Sequence, residues 1–270
     1  MLYPFVLISL AATALCCAFS PAVWPQYLWL VPLLFVAFFA AALLLYVIFL
    51  LCVCLFIRRK DFPQSRSRFI HLLTVCTIGL LVKLARGRVA VEGEEKLPKD
   101  GRWLLVGNHI SDFDPLTTVW ALRRHELAFV AKPSIFKIPI AGSLIFRDFY
   151  LPIDRENNRE ALKTILKAAE YMRGDLSSMG IYPEGTRSHD GRLLPFKNGA
   201  LKIAQRAKAP IVVTVIEGSD SIARRFPFRS TRVTLSILEV ISAEEVAAAS
   251  TTELGDKIRA LMLDRLGQQD

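Results

Sequence analysis

Residues 1–57 contain no Asp, Glu, Lys, Arg or His, and every formal charge of the 270-residue chain lies beyond them. A helix with no polar face has nothing to offer water, so a segment of this kind is solvated by lipid or by other apolar surface. The remainder has the opposite character: the chain carries a formal net charge of +9 and a pI near 9.5. The sequence therefore divides into an apolar leader, residues 1–57, a basic juxtamembrane segment, residues 58–87, and a charged domain, residues 88–270.

The leader reads as two transmembrane helices. Residues 3–19 are just long enough to span a bilayer, and residues 20–27 (SPAVWPQY) carry the prolines and aromatic rings of a turn at a membrane interface. Residues 28–57 would make a helix roughly 45 Å long, against a hydrocarbon core of about 30 Å, so this helix tilts or begins at Pro32. The first run lacks the basic n-region of a signal peptide, and a second long apolar run follows it, which favours a hairpin over a cleaved leader. Arg58, Arg59 and Lys60 follow at once, then Arg66 and Arg68. Positive charge beside a span places that flank in the cytoplasm. A multi-pass protein of the inner or cell membrane is expected, with both ends and the charged domain cytoplasmic. A third apolar stretch, residues 69–84, is shorter and has charges at both ends. An interfacial helix is expected there rather than a third span, which would move the charged domain across the membrane, with packing in the domain core as the alternative.

The five cysteines end at Cys76, so the charged domain has no disulfide framework, thiolate nucleophile or cysteine metal ligand, which fits a reducing compartment. Its apolar patterning alternates. Residues 88–92, 103–106, 128–130, 150–153, 178–182, 211–216 and 233–238 read as strands. Residues 116–124, 159–173 and 199–207 read as helices, and residues 242–245 carry a capping-box pattern that opens a further helical region. Such alternation implies an α/β fold, a mixed sheet flanked by helices and preceded by the helical membrane anchor.

Two clusters carry chemistry. In NHISDFDP, His109 and Asp114 lie five residues apart, after a buried strand and before a helix. Asp114-Pro115 has the form of an N-cap followed by proline at the first helical position. A histidine accepts a proton near neutral pH, and a carboxylate on its other nitrogen fixes the tautomer and stabilises the imidazolium. Spacing alone leaves Asp112 as a rival partner. There is no Gly-x-Ser-x-Gly elbow to present a serine nucleophile, so a His–Asp pair here would act on a substrate hydroxyl. The second cluster is Tyr182-Pro183-Glu184-Gly185-Thr186-Arg187-Ser188, where Gly185 permits a tight turn and Arg187 offers a fork for phosphate. Lys132 and Arg155 stand at the ends of other strands. Each cation singly reads more readily as a solvated surface charge; several at strand ends near one histidine read as a site, because ligands gather at the carboxyl ends of strands in open α/β sheets. His71, His125 and His189 lack ligand spacing and His-Glu-x-x-His is absent, so no metal is expected. No nucleic-acid-recognition signature is present, although a non-catalytic, membrane-tethered basic module would share the charge.

With these residues in place, the chain resembles the glycerolipid phosphate acyltransferase family, which includes 1-acylglycerol-3-phosphate acyltransferases. Four blocks carry the resemblance in order: His109 to Asp114 as His-x4-Asp, then Ile153-Asp154-Arg155, then the Tyr182 block with Tyr for the usual Phe, then Ala209-Pro210-Ile211-Val212-Val213. Phe196-Lys197-Asn198-Gly199-Ala200 looks like the segment that usually follows the third block. The resemblance implies a glycerol-phosphate-acyltransferase-like fold for residues 88–270. It implies His109 as base, Asp114 as its orienting partner, and Lys132, Arg155, Glu184, Gly185, Thr186 and Arg187 as substrate-binding residues. The implied reaction acylates lysophosphatidic acid to phosphatidic acid, with acyl-CoA or an acylated carrier protein as co-substrate and no other cofactor; membrane lipids are the implied surroundings. Thr214 replaces a usual proline of the fourth block, and the second block lacks its usual glycine before Phe149-Tyr150-Leu151-Pro152. Another lysolipid acceptor is therefore the alternative. Basic residues such as Arg224, Arg225, Arg229 and Arg232 suit anionic lipid or an acidic carrier protein, and equally a solvated face.

Overall fold

The computed structural model describes residues 2–19 and 29–269, so the turn expected at residues 20–27 lies outside the described residues. The chain forms two compact units, residues 1–58 and 59–270.

The first unit contains α1 (Leu2–Phe19) and α2 (Leu30–Leu55), both long and apolar enough to cross a membrane, with mean hydropathies of 2.1 and 3.0. At about 1.5 Å per residue α2 is about 39 Å long, which calls for tilt in a core of about 30 Å. Pro32 lies in its first turn, where a missing N–H costs nothing. The two helices pack together, with the Phe5 ring edge-on to Tyr46 at 5.5 Å. Two hydroxyls of α1 are satisfied locally: Ser9 Oγ donates to the Phe5 carbonyl at 2.6 Å and Thr13 Oγ1 to that of Ser9 at 2.8 Å. A hydroxyl that bonds back to its own helix leaves no unpaired donor in an apolar surround.

The second unit is built on one seven-stranded sheet of order β1-β7-β6-β2-β5-β3-β4. The strands are β1 (Gly87–Glu92), β2 (Leu104–Gly107), β3 (Leu127–Ala131), β4 (Leu151–Pro152), β5 (Ser178–Ile181), β6 (Ile211–Glu217) and β7 (Thr231–Ile241). Strands β2 to β6 run parallel, while β1 and β7 run together in the opposite sense. The sheet is mixed, as expected. Every residue of β2 and β5 is buried, the signature of strands covered on both faces. The covering helices are α3 (Arg68–Leu84), α4 (Asp114–Ala121), α5 (Ala141–Arg147), α6 (Asn158–Arg173), α7 (Lys202–Ala207), α8 (Ser221–Arg225), α9 (Ala243–Ala248) and α10 (Thr251–Leu266). Ser242 caps α9, but the reciprocal capping box belongs to Ser250 and Glu253 at the head of α10.

Helix α3 packs against the domain core, the alternative reading of residues 69–84. It buries Val75, Ile78 and Val82 in the main core, and Gly79 brings its backbone against the Trp120 ring of α4. His71 Nδ1 lies 3.1 Å from the buried carboxylate of Asp148. Arg59, ahead of the helix, donates to the Phe136 carbonyl at 2.6 Å. Residues 59–87 are thus part of the second unit rather than a separate juxtamembrane segment. The reason is that α3 buries one face against protein while Phe69, Leu72 and Leu81 stay exposed on the other.

Candidate active site

The site forms where β2 ends. Buried Asn108 closes that end onto β6: its Oδ1 accepts from Ile216 N at 2.7 Å and its Nδ2 donates to Ile216 O at 3.0 Å. Gly107 is needed in front of it, since a Cβ there would lie 2.9 Å from Thr214 Oγ1. The next residue, His109, is held through its backbone by the segment after β5. Its N–H donates to Glu184 Oε1 at 2.6 Å, and its carbonyl accepts from Ser188 N at 2.8 Å. The second oxygen of Glu184 accepts from Leu194 N at 2.9 Å.

The His109 ring lies flat on Tyr182, with centroids 4.4 Å apart and planes within 7°, and Tyr182 in turn stacks on Phe129. Nδ1 sits 2.8 Å from Asp114 Oδ2. Asp114 is 0% exposed, and the same Oδ2 accepts from Ile110 N at 2.7 Å and Ser111 N at 2.8 Å. Its Oδ1 accepts from the Ser219 hydroxyl. Each of these donors repays part of the hydration that the buried carboxylate gives up. Asp114 is therefore not the N-cap that its sequence setting implied. Phe113 holds that position, and the carboxylate turns back to the preceding turn instead of the helix amides. Asp112 is not the histidine's partner either; it pairs with Arg187 at the exposed rim. With Nδ1 donating to Asp114, Nε2 keeps its lone pair and has no partner among the described residues.

The His109 side chain, 14% exposed, opens into a cleft of about 550 Å³ whose walls include Lys132, Arg155, Thr186 and Arg187. A second chamber of about 320 Å³ joins it through Val130, Ile153, Arg155 and Tyr182. Its further walls are largely apolar, with Leu162, Ile165 and Ile181, and Gly185 and Lys197 also face it. Gly185 takes a left-handed φ of 74°, and a Cβ there would press on the Lys197 side chain at 3.2 Å. Arg155 is half-buried, has no carboxylate partner among the described residues, and faces both cavities. Burial lowers its guanidinium below the ordinary Arg value, the mark of a cation that lacks a counter-charge. Burial pushes the Glu184 carboxyl above its ordinary value, against the backbone donors of Leu194 and His109.

The residues singled out in the sequence thus separate into groups. His109, Lys132, Arg155, Thr186 and Arg187 line the cleft, and Gly185 lines the chamber beside it. Asp114 lies behind the histidine. Glu184 lines neither cavity, because both its oxygens are engaged by backbone amides. Ser219 and the stacking role of Tyr182 were not legible: 105 residues separate Ser219 from Asp114, and only the fold joins them.

Residues 88–217 match the family model described as Acyltransferase, a stretch that includes His109, Asp114, Lys132, Arg155 and the whole Tyr182 block. Residues 88–217 form an acyltransferase-family domain. Among curated relatives, a 1-acyl-sn-glycerol-3-phosphate acyltransferase of Limnanthes alba is 31% identical over 175 residues, 65% of this chain and 61% of the relative. Enzymes of the same name from Saccharomyces cerevisiae and Salmonella typhimurium are 29% and 28% identical, with 79% and 80% of this chain aligned to 69% and 85% of theirs. The chain thus spans about three-fifths of the plant relative and more of the other two. The crystal structure of the 1-acyl-sn-glycerophosphate (LPA) acyltransferase PlsC from Thermotoga maritima superposes with a TM-score of 0.60 and 24% identity over 84% of this chain and 90% of that one. That likeness establishes the acyltransferase fold, including the mixed sheet and its flanking helices.

Proposed function

We propose that this acyltransferase-family chain transfers a fatty acyl group from a thioester to the free hydroxyl of 1-acyl-sn-glycerol 3-phosphate, giving phosphatidic acid. The observation that carries the reading is the unpartnered Nε2 of His109 in a cleft that also presents Lys132, Arg155 and Arg187. The shared name of the curated relatives supports the same acceptor.

In this reading Nε2 takes the proton of the acceptor hydroxyl as its oxygen attacks the thioester carbonyl. The tetrahedral adduct collapses, the carbon–sulfur bond breaks, and the imidazolium returns its proton to the departing thiolate. No covalent acyl-enzyme is needed. General-base help of this kind is worth roughly 10²–10⁴-fold, and Asp114 sustains it by stabilising the imidazolium. Arg155, with Lys132 and Arg187, takes the phosphate; Arg187 releases Asp112 to do so. Glu184 acts one step back, by fixing the His109 backbone. The apolar chamber suits an acyl chain, and the donor is acyl-CoA or an acylated carrier protein. The chain is anchored through α1 and α2, with the basic flank that begins at Arg58 on the cytoplasmic side.

Membranes containing the wild type and His109→Ala, assayed with a panel of lysolipids, test this. Acylation of lysophosphatidic acid is expected from the wild type and at least a hundredfold less from His109→Ala. Full activity in the variant would defeat the mechanism, and turnover confined to a non-phosphate lysolipid would defeat the acceptor.

A further inference from the structure

The segment between β6 and β7 leaves the sheet at the same end as the active site. Strand β6 runs parallel to β2, so its carboxyl end, from which Ser219 reaches Asp114, lies beside that of β2. Helix α8 starts two residues later, and β7 returns antiparallel from that end. What lies between is unusual for a protein surface. Residues 223–229 (ARRFPFR) are all exposed, with Phe226 53% and Phe228 85% accessible. An exposed phenylalanine costs solubility and contributes little to a core, and two with one residue between them make a small apolar tip.

Cations surround that tip. From Ala223 to Arg232 there are four arginines and no acidic residue. Arg224 is engaged by Asp220, whereas Arg225, Arg229 and Arg232 have no side-chain partner among the described residues. The parallel register of β1 with β7 sets Arg88 opposite Arg232, and Arg86 lies just ahead of it; both are exposed. The cationic strip therefore continues across two strand starts at the active-site end of the sheet.

We propose that this loop is a membrane-contact element: Phe226 and Phe228 enter the headgroup–acyl boundary of an anionic bilayer, while Arg225, Arg229, Arg232, Arg86 and Arg88 hold its headgroups. Aromatic rings flanked by arginines match the two layers of such an interface, one apolar and one negatively charged. A bilayer is the occupant these observations favour, because the chain carries two helices long and apolar enough to cross one. An acidic protein would be satisfied by the arginines alone and would leave the rings without a purpose. The element would set the cleft at the height where a lipid hydroxyl is found, yet its existence does not depend on the proposed reaction.

The test uses the full chain in lipid nanodiscs, with Phe228→Trp as a conservative reporter and the wild type subtracted to remove the native tryptophans. In nanodiscs of phosphatidylcholine and phosphatidylglycerol, the added tryptophan is expected to be quenched by lipids brominated near the headgroup more than by lipids brominated deep in the chain. It is also expected to resist aqueous acrylamide at least threefold better than a tryptophan free in water. Pure phosphatidylcholine, or Arg225→Gln with Arg229→Gln, is expected to reduce that protection by half or more. A reporter quenched freely by acrylamide and untouched by brominated lipid in anionic nanodiscs overturns the proposal; it is also the outcome that a protein-docking surface would give. The readout is depth, not turnover, so it stands whether or not lysophosphatidic acid is the acceptor.

Discussion

At the scale of single residues, the site works by denying His109 any freedom. Its backbone is clamped at N and O, its ring is stacked on Tyr182, and Nδ1 is tied to a carboxylate that water does not reach. Asp114→Asn keeps the shape but removes the charge that stabilises the imidazolium, and an amide can present its N–H to Nδ1 and hold the wrong tautomer. A kcat loss of roughly 10²–10⁴-fold is expected with little change in KM, read from initial rates over a substrate series. Ser219→Ala removes one donor to the same carboxylate, and a hydrogen bond to a charged group is worth about 1.5 kcal/mol or more. Roughly tenfold in kcat is expected, and a variant equal to wild type would show that Ser219 is only a packing residue. Glu184 gives a pH signature. Its raised folded-state pKa means that the folded protein holds the proton more tightly than the unfolded chain, so its contribution to stability declines as pH rises from the ordinary Glu range through the raised value. Chemical denaturation of wild type and Glu184→Gln across that window is expected to show the wild type losing ground to the variant as pH rises. The opposite slope would mean that the Leu194 and His109 amides outweigh burial.

At the scale of elements, the question is which local preferences the packing overrides. Gly79 in α3 is an example, because helix propensity favours alanine by about 1 kcal/mol. A Cβ there would lie 2.2 Å from the Trp120 ring, and overpacking of that kind costs about 1–3 kcal/mol. Gly79→Ala is therefore expected to lower stability by up to about 2 kcal/mol in urea denaturation, the overpacking cost less the propensity gain, and a gain would mean that Trp120 moves aside freely. The same helix shows where sequence reasoning stopped. Residues 69–84 are apolar on both faces, so hydrophobicity alone did not distinguish lipid from protein as the partner. The deciding partners, Trp120 and Asp148, lie 41 and 77 residues away from Gly79 and His71. Strands β2, β5 and β6 were legible because a run buried on both faces is continuously apolar. Helices α5 and α8 were not, being seven and five residues long, too short to show a period. Asp114 was legible as the histidine's partner only with the help of the family pattern; its competition with Asp112 was decided by burial, a property of the fold.

At the scale of the molecule, residues 1–57 carry no charge, and every charged residue but Arg58 lies in the second unit. The buried core that holds β1 to β7 together is formed by residues 75–263, every one of them in the second unit. In the first unit, Ser9 and Thr13 bond back to carbonyls of their own helix. A chain beginning at Arg59 is expected to unfold cooperatively, with a Tm within a few degrees of the parent, since it keeps every residue of the buried cluster at 75–263. Its chemistry should persist on a short-chain, water-dispersed acceptor, within about threefold in kcat, because the residues that form the cleft all lie beyond position 59. On an acceptor embedded in vesicles, the same protein should lose at least tenfold, because encounter in the plane of the bilayer is replaced by binding from solution. The basic aromatic loop predicts that part of this loss returns when the vesicles are made anionic, and that it does not return when Phe226→Ser and Phe228→Ser are added. Equal recovery with and without the two rings would assign the salt-sensitive attraction to the arginines alone. A truncated chain that fails to fold would show that the apolar helices also support the domain's structure.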